Sequence, residues 1–278
     1  MVEKMEHTGE IEPPHWFYYL TEPHRAMAEH IGFASSKKLL TMQHAGGGDG
    51  RHVLVLPGLM ADDRSTRALR GVLKEAGYQA HGWKLGVNVG PTNGILSGIQ
   101  GRVDDLVARS GRPISVIGWS LGGLLAREVA KLRPEDVDRV ITLGSPLNMS
   151  HRSQSRASAA YEMFASRHLP DYAFEAWVAA RKDGLAQPLT SIYSRADGIV
   201  HWQSCLVEPG PMSENVEVRG SHCGLGANVA AAHVVLDRLA EPLDDWKPFR
   251  PRRAYRSAFP GSPLAAAEAF SEAWHSIS

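Results

Sequence analysis

Short apolar runs alternate with longer amphipathic segments along about 190 residues of this 278-residue chain. The runs have the length of buried strands, and the segments between them repeat apolar residues at the spacing of a helix. The predicted strands are 51–57, 78–83, 113–119, 137–145, 189–194 and 215–220, and the predicted helices are 65–78, 95–111, 121–133 and 225–240. This alternation predicts an α/β fold with a mostly parallel central sheet that helices cover on both faces.

The same pattern divides the chain into a core and three further segments. Residues 51–147 and 188–245 form the predicted core. We expect residues 1–50 to pack on this core, with 15–33 as an amphipathic helix at the edge of the sheet. Contact of that helix with a membrane surface is the alternative, which its mixed charges disfavour. The tail, residues 246–278, carries a local cluster of arginines and is predicted to be a solvated arm or a dimer contact.

Composition excludes several classes of protein. Hydrophobic residues make up 43% of the chain and charged residues 22%, as in ordinary globular proteins. Thirty basic residues balance thirty acidic ones, so no net charge favours nucleic acid as a partner. No apolar stretch reaches the roughly 18 residues that a membrane span needs. The polar N-terminus does not have the features of a secretory signal, so we expect a cytoplasmic location.

The chain has only two cysteines, Cys205 and Cys223, which is too few for a disulfide framework. Each lies near a residue that we assign below to the same site, so a disulfide between them is sterically conceivable. The sequence leaves both possibilities, a bridge and two free thiols, open.

A serine lies between two glycines where the strand 113–119 passes into the helix 121–133. The residues read "GWSLG", with Gly118 and Gly122 on either side of Ser120. A nucleophile on such a sharp strand-to-helix turn projects its side chain above the sheet, and small residues two positions away prevent clashes within the turn. The helix that follows directs its N-terminal N–H groups towards the same point. Ser120 is therefore the predicted nucleophile.

A serine hydroxyl needs a histidine to take its proton and a carboxylate to orient that histidine. Asp197 follows the predicted strand 189–194, and His222 follows the predicted strand 215–220. The chain order Ser, Asp, His is the order associated with this kind of nucleophile turn. We therefore predict a triad of Ser120, His222 and Asp197. The competing residues are His201, His233, Asp183 and Asp138.

Hydrolysis of an acyl group also needs two N–H donors that stabilise the oxyanion of the tetrahedral intermediate. The residue after the nucleophile, Leu121, offers one of them. The loop after the strand 51–57 reads "LPGLM", in which Leu59 follows a Pro-Gly turn and is placed to offer the second. The predicted oxyanion hole is formed by the backbone N–H groups of Leu59 and Leu121.

Together the motifs "VLVLPGLM", "VIGWSLGGLLAREVA", "RVITLGSPLN", "YSRADGIV" and "GSHCGLG" resemble the α/β-hydrolase superfamily, and within it the bacterial lipases and carboxylesterases. The resemblance covers residues 50–245 and implies the triad and the oxyanion donors given above. Pro57 and Trp119 occupy positions where lipases commonly have histidine, which affects the expected substrate preference. The resemblance implies no metal and no organic cofactor.

The segment 148–187 is too long for a simple connection and is rich in large apolar residues at helix-like spacing. In the α/β-hydrolase architecture an insertion at this point covers the site, so we predict a helical cap or lid. The predicted substrate-binding residues are Phe174 and Trp177 from this insertion, together with Trp119 and Met60.

The resemblance and the residues predict a serine hydrolase, an esterase or lipase that acts on hydrophobic esters through an acyl-enzyme. The same triad would also serve an acyltransferase or a thioesterase. A catalytically silent binding protein with a hydrolase fold is the alternative from a different class. A homodimer is possible on the sequence, and no membrane span is expected.

Overall fold

A six-stranded parallel sheet lies at the centre of the computed structural model, which describes residues 13–170, 184–251 and 259–260. Its strands are β1 (His52–Leu56), β2 (Gln79–Gly82), β3 (Ile114–Trp119), β4 (Val137–Leu143), β5 (Leu189–Tyr193) and β6 (Ser213–Glu217). Each neighbouring pair is parallel, in the order β2-β1-β3-β4-β5-β6. The predicted α/β class and the parallel sheet are confirmed.

Helices cover both faces of this sheet. One face packs against α1 (Trp16–Gln43), α2 (Arg67–Glu75) and α6 (Val229–Ala240), and the other against α3 (Asn93–Ser110) and α4 (Leu121–Leu132). A short helix, α5 (Ser158–Glu162), lies in the insertion between β4 and β5. None of the helices in the described ranges is long and apolar enough to cross a membrane.

The two cores follow from the alternation of side chains along each strand. In β1, Val53 and Val55 belong to the cluster under α2 and α6, whereas Leu54 and Leu56 belong to the cluster under α3 and α4. All four side chains are fully buried. A strand with both faces covered reads as a continuous apolar run, which is why "VLVL" predicts a central strand.

The N-terminal helix is longer than the sequence indicates. Apolar spacing predicts a helix over 15–33, but α1 continues to Gln43, where Leu40 is buried against the core. The helix includes Pro23, which removes one backbone donor. It packs against α2 and α6.

Part of the C-terminal tail packs into the core, so a solvated arm does not describe Phe249 and Phe259, while the predicted dimer contact stays a prediction. Phe249 and Phe259 are buried, with ring centroids 5.2 Å apart. The N–H of Phe249 donates to the buried carboxylate of Glu214 on β6, at 2.6 Å. The nearby arginines make this segment polar in sequence, so its local pattern does not indicate burial. The rings are buried nevertheless, because burial of two aromatic side chains outweighs the polarity of their neighbours.

We expect Phe249→Ala to lower the free energy of unfolding by about 3–5 kcal/mol, because the change removes a buried aromatic ring and leaves a cavity. Lys247→Ala is the matched control, since the Lys247 side chain forms an exposed ion pair with Asp245 and we expect its removal to leave the stability almost unchanged. Urea unfolding of both variants measures the difference. Equal stabilities would show that the tail does not contribute to the core.

Candidate active site

The three residues of the predicted triad lie just beyond the carboxyl ends of three strands. Ser120 directly follows β3, Asp197 lies four residues after β5, and His222 lies five residues after β6. Because all strands are parallel, these ends share one edge of the sheet. The topology therefore brings together residues that lie up to 102 positions apart in the chain.

Ser120 has a backbone conformation that is rare for a residue with a side chain. Its φ is 53° and its ψ is −125°, at the junction of β3 and α4. The turn is tight: a Cβ atom at Gly118 would lie 2.2 Å from the carbonyl oxygen of Gly122, and a Cβ at Gly122 would lie 2.5 Å from that of Leu56. Both positions therefore require glycine, as the sequence motif indicates.

The side chains of the triad form a continuous chain of hydrogen bonds. The Nε2 atom of His222 lies 2.9 Å from the Oγ of Ser120, and its Nδ1 atom lies 2.6 Å from the Oδ2 of Asp197. The geometry assigns the proton of the neutral imidazole to Nδ1, since the carboxylate can only accept. The Nε2 atom is then free to accept the serine proton, as a general base must.

The other oxygen of Asp197 is held by the backbone. Its Oδ1 accepts N–H bonds from Ile199, at 2.8 Å, and from Val200, at 2.7 Å. The carboxylate is buried with 3% of the residue exposed. These bonds fix the orientation of the carboxylate, which leaves Oδ2 for the imidazole.

The competing residues that fall in the described ranges lie elsewhere. His233 is buried in α6, where its Nδ1 lies 3.0 Å from the Nε2 of His44. Asp138 accepts a bond from Ser115 at the amino end of β4, which is the opposite edge of the sheet. His201 begins the turn after Asp197, and it is His222 that meets Ser120. Asp183 lies outside the described residues.

Opposing effects set the pKa of His222. Burial of the imidazole lowers this pKa, but the charge of Asp197, its hydrogen bond to Nδ1 and the charge of Glu22 together raise it above the ordinary histidine value. The imidazolium form is thus stabilised by two buried carboxylates, which is the form that a general base reaches during the reaction.

The two predicted oxyanion donors lie on either side of Ser120, the predicted nucleophile. Leu121 is the first residue of α4, where a helix has no acceptor of its own for the N–H group. Leu59 follows Gly58, whose backbone packs against Ser120 so closely that an added Cβ would lie 3.1 Å from the serine Cβ. Both leucines line the same pocket as Ser120.

A buried asparagine supports the Leu59 loop, and sequence reasoning missed it. Asn88 is fully buried, and its Nδ2 donates to the carbonyl of Pro57 at 2.8 Å. Its backbone carbonyl accepts the N–H of Met60 at 2.7 Å, and its own N–H donates to Ala61 at 2.9 Å. These bonds hold the loop on both sides of Leu59. The only signal in the sequence is an Asn in a Gly- and Pro-rich loop, which is typical of any turn.

A largely apolar pocket opens beside Ser120. Its floor is formed by Leu59, Leu121 and Leu124. Its other wall comes from the insertion, whose described residues at this pocket are Met149, Arg152, Ser155, Ala157, Ser158, Tyr161 and Glu162. The insertion is tied to the loop after Asp197 by backbone bonds, including that from Arg156 N–H to the carbonyl of Ile199 at 2.8 Å.

The predicted substrate-binding residues have different outcomes. Trp119 does not line this pocket: its Nε1 donates to the carbonyl of His222 at 3.1 Å, so its indole supports the histidine loop instead. Met60 also lies outside the pocket lining and is exposed, in a left-handed conformation with φ of 58°. Phe174 and Trp177 lie outside the described residues.

Both cysteines are free thiols. Cys205 is buried, and Cys223 is exposed. Burial raises the pKa of Cys205, and partial desolvation of the Cys223 sulfur by neighbouring protein atoms, together with the charges of Glu22 and Asp197, raises the pKa of that thiol to about 11. Neither thiol is therefore ionised to a useful extent at neutral pH, and the question left open by the sequence is answered in favour of two separate thiols.

Comparison with known proteins identifies the fold. No protein-family model matches the chain, and no curated protein matches it in sequence. Among solved structures, lipase B of Aspergillus fumigatus is similar with a TM-score of 0.55 and 17% identity, over 80% of this chain and 56% of the lipase. This chain thus spans just over half the length of that lipase.

Two smaller proteins are covered almost completely. An α/β-superfamily hydrolase of Oenococcus oeni PSU-1 matches with a TM-score of 0.50 and 16% identity, over 68% of this chain and 91% of that protein. The lipase BlEst2 of Bacillus licheniformis matches with a TM-score of 0.51 and 14% identity, over 69% and 92%. At these identities the likeness concerns the fold, and the fold of this chain is that of the α/β hydrolases.

Proposed function

We propose that this protein is a serine hydrolase that cleaves carboxylic esters with a hydrophobic acyl group. The observation that carries the proposal is the hydrogen-bonded chain from Ser120 through His222 to Asp197, beside an apolar pocket. Its nucleophile, base and orienting acid have the mutual geometry that acyl transfer needs. The likeness in fold to proteins described as lipases agrees with the proposal.

In the first half of the reaction, Ser120 Oγ attacks the ester carbonyl carbon while His222 Nε2 takes the hydroxyl proton. The negative charge that develops on the carbonyl oxygen is stabilised by the N–H groups of Leu59 and Leu121 and by the positive end of α4. Asp197 stabilises the imidazolium and keeps its ring in place. The tetrahedral intermediate then expels the alcohol, which receives its proton from His222.

In the second half, water enters and His222 takes its proton as the water oxygen attacks the acyl-enzyme. The second tetrahedral intermediate uses the same oxyanion donors, and its collapse releases the carboxylic acid and restores the Ser120 hydroxyl. Every proton in this cycle is carried by His222, so the proposal requires no metal and no organic cofactor.

The pocket indicates the kind of substrate. Its leucines, together with Met149 and the ring of Tyr161, form an apolar wall for an acyl chain, since burial of each methylene contributes about 0.8 kcal/mol. We propose that the insertion 148–187 acts as the cap of this site, to which Phe174 and Trp177 would add further apolar surface. A hydrophobic ester is therefore the proposed substrate class.

We expect Ser120→Ala to lower kcat for p-nitrophenyl esters by about 10⁴-fold or more, because the acyl-enzyme can no longer form. Ser97→Ala on the exposed face of α3 is the matched control and is expected to have wild-type activity. Mass spectrometry of the wild-type protein during turnover should show an added acyl group on Ser120.

An undiminished Ser120→Ala variant, or a wild-type protein with no activity on any ester, would contradict the proposal. Product analysis distinguishes the alternatives that share the triad: a new ester formed from added alcohol in preference to the free acid would indicate an acyltransferase. Faster cleavage of acyl thioesters than of the matching oxygen esters would indicate a thioesterase.

The pH dependence follows from His222. Because this residue must be neutral to act as a base and its pKa is raised, we expect kcat/KM to rise with pH and to reach half its maximum above about 6.5. Asp197→Asn removes a charge that raises this pKa, so the rise should move to lower pH while kcat falls roughly 10⁴-fold. Asp138→Asn, at the opposite edge of the sheet, is the control. A profile that is flat between pH 5 and about 8 would contradict a histidine base.

A larger side chain in the pocket wall tests whether the pocket binds the acyl chain. Ala157 lines the pocket wall, so Ala157→Phe should reduce kcat/KM for octanoyl esters roughly 10- to 100-fold and leave acetyl esters nearly unchanged. The control is Leu132→Phe, at an exposed position at the end of α4. An equal loss for short and long chains would show that the acyl group lies elsewhere.

A further inference from the structure

The N-terminal helix places a buried carboxylate between the loops that carry the acid and the base. Glu22, in the second turn of α1, has only 3% of its surface exposed. Its Oε1 accepts the N–H of Cys223 at 2.8 Å, and its Oε2 accepts the N–H of Gly198 at 3.3 Å. Cys223 directly follows the base His222, and Gly198 directly follows the acid Asp197.

A second carboxylate of the same helix holds the other side of the histidine. Glu29 lies seven residues after Glu22, so both project from one face of α1. Its Oε1 accepts the N–H of Ser221 at 2.7 Å, and its Oε2 accepts from Asn228 at 3.0 Å. The backbone N–H groups on both sides of His222 therefore end on carboxylates of α1.

The close approach of α1 depends on two glycines. A Cβ atom at Gly198 would lie 2.5 Å from the backbone carbonyl of Tyr18, and one at Gly224 would lie 2.3 Å from the Oε2 of Glu29. A side chain at Gly198 would displace the backbone of α1, and one at Gly224 would displace the Glu29 carboxylate from its partners. The loops of the acid and the base are thus shaped to receive α1.

Burial of these carboxylates would be costly without their partners. A buried carboxylate is stable when backbone N–H groups and a cation satisfy it, and Glu22 has both, since Arg25 donates to its Oε2 at 2.7 Å. Burial and the nearby charge of Asp197 raise the pKa of Glu22, while the N–H of Cys223, the imidazole of His222 and Arg25 act in the opposite direction. The charged groups that face the His222 loop are Asp197 from the loop after β5, and Glu22, Arg25 and Glu29 from α1.

We propose that Glu22 is a positioning residue of the catalytic site, which fixes the distance between the Asp197 and His222 loops and adds a negative charge beside the imidazolium. This rests on the proposed function of the triad. The role explains why one carboxylate bonds to both loops, whereas a purely structural anchor for α1 would need only one. It makes the N-terminal helix part of the active site rather than a cover for the sheet.

The test is Glu22→Gln. Glutamine offers one acceptor oxygen and an NH₂ group, so it cannot accept from Cys223, Gly198 and Arg25 as the carboxylate does. We expect kcat for the best p-nitrophenyl ester to fall roughly 10- to 100-fold with little change in KM, because a displacement of about 1 Å suffices for that loss. The rise of kcat/KM with pH should also move to lower pH, since the variant lacks a charge that raises the pKa of His222.

Two further variants separate position from charge and from stability. Glu22→Asp keeps the charge, but the shorter side chain cannot reach the N–H groups of both Gly198 and Cys223. We therefore expect kcat to fall while the rise of kcat/KM stays at the same pH. Glu75→Gln is the matched control: it removes the ion pair between α2 and Lys37 of α1 on the surface, away from the site, and should leave kcat unchanged. Thermal unfolding of each variant identifies any loss of folded protein.

Two measurements do not depend on activity. Hydrogen exchange of the Gly198 and Cys223 amides should accelerate in Glu22→Gln, and the NMR titration of His222 should shift to lower pH. If wild-type protein cleaves no ester, the proposed function fails, and these two measurements still decide the role of Glu22. The inference would be overturned if folded Glu22→Gln had the same kcat, pH profile and amide exchange as the wild-type protein. A change in KM alone would overturn it as well.

Discussion

Parallel pairing of the strands is the constraint on which the site depends, because it gathers the carboxyl ends of β3, β5 and β6 at one edge of the sheet. Each of the three chemical groups then needs only a few residues beyond its strand to reach the others. Ser120, the proposed nucleophile, reaches its position through a strained turn with φ of 53°, and a conformation of this kind costs about 1–3 kcal/mol. The close packing at Gly118 and Gly122 maintains it.

Around this turn, backbone N–H groups bind the carboxylates of three acidic residues. Asp197 accepts hydrogen bonds from the N–H groups of Ile199 and Val200. Glu22 and Glu29 of α1 accept hydrogen bonds from the backbone of the His222 loop. Charge-assisted bonds of this kind compensate for the loss of water around a buried anion. They also create a negative environment for the one side chain in the triad that becomes positive during the proposed reaction. Stability of the loops and stabilisation of the imidazolium therefore have the same physical origin.

Much of the fold could be read from local pattern, and the exceptions have physical causes. The six predicted strands are present with ends that differ by no more than three residues. The largest shift is in β6, which begins at Ser213 because its register is set by pairing with β5 and not by its own apolar residues. The burial of Phe249 and the contact of Trp119 with the His222 loop could not be read from the sequence, because their partners, Glu214 and His222, come from distant parts of the chain. Propensity and spacing carry no information about such partners.

The sequence by itself determined the order of strands and helices, the strand-to-helix turn at Ser120 and the places of Asp197 and His222 after their strands, because these follow from apolar period, glycine spacing and chain order. Only the tertiary structure decided which side chains support them. Asn88 bonds to the loop that contains Leu59, 31 residues away, and Glu22 bonds to the Asp197 and His222 loops, up to 201 residues away. A buried polar side chain is defined by the donors that surround it, and those donors meet only when the sheet has aligned its strand ends and α1 has packed against them.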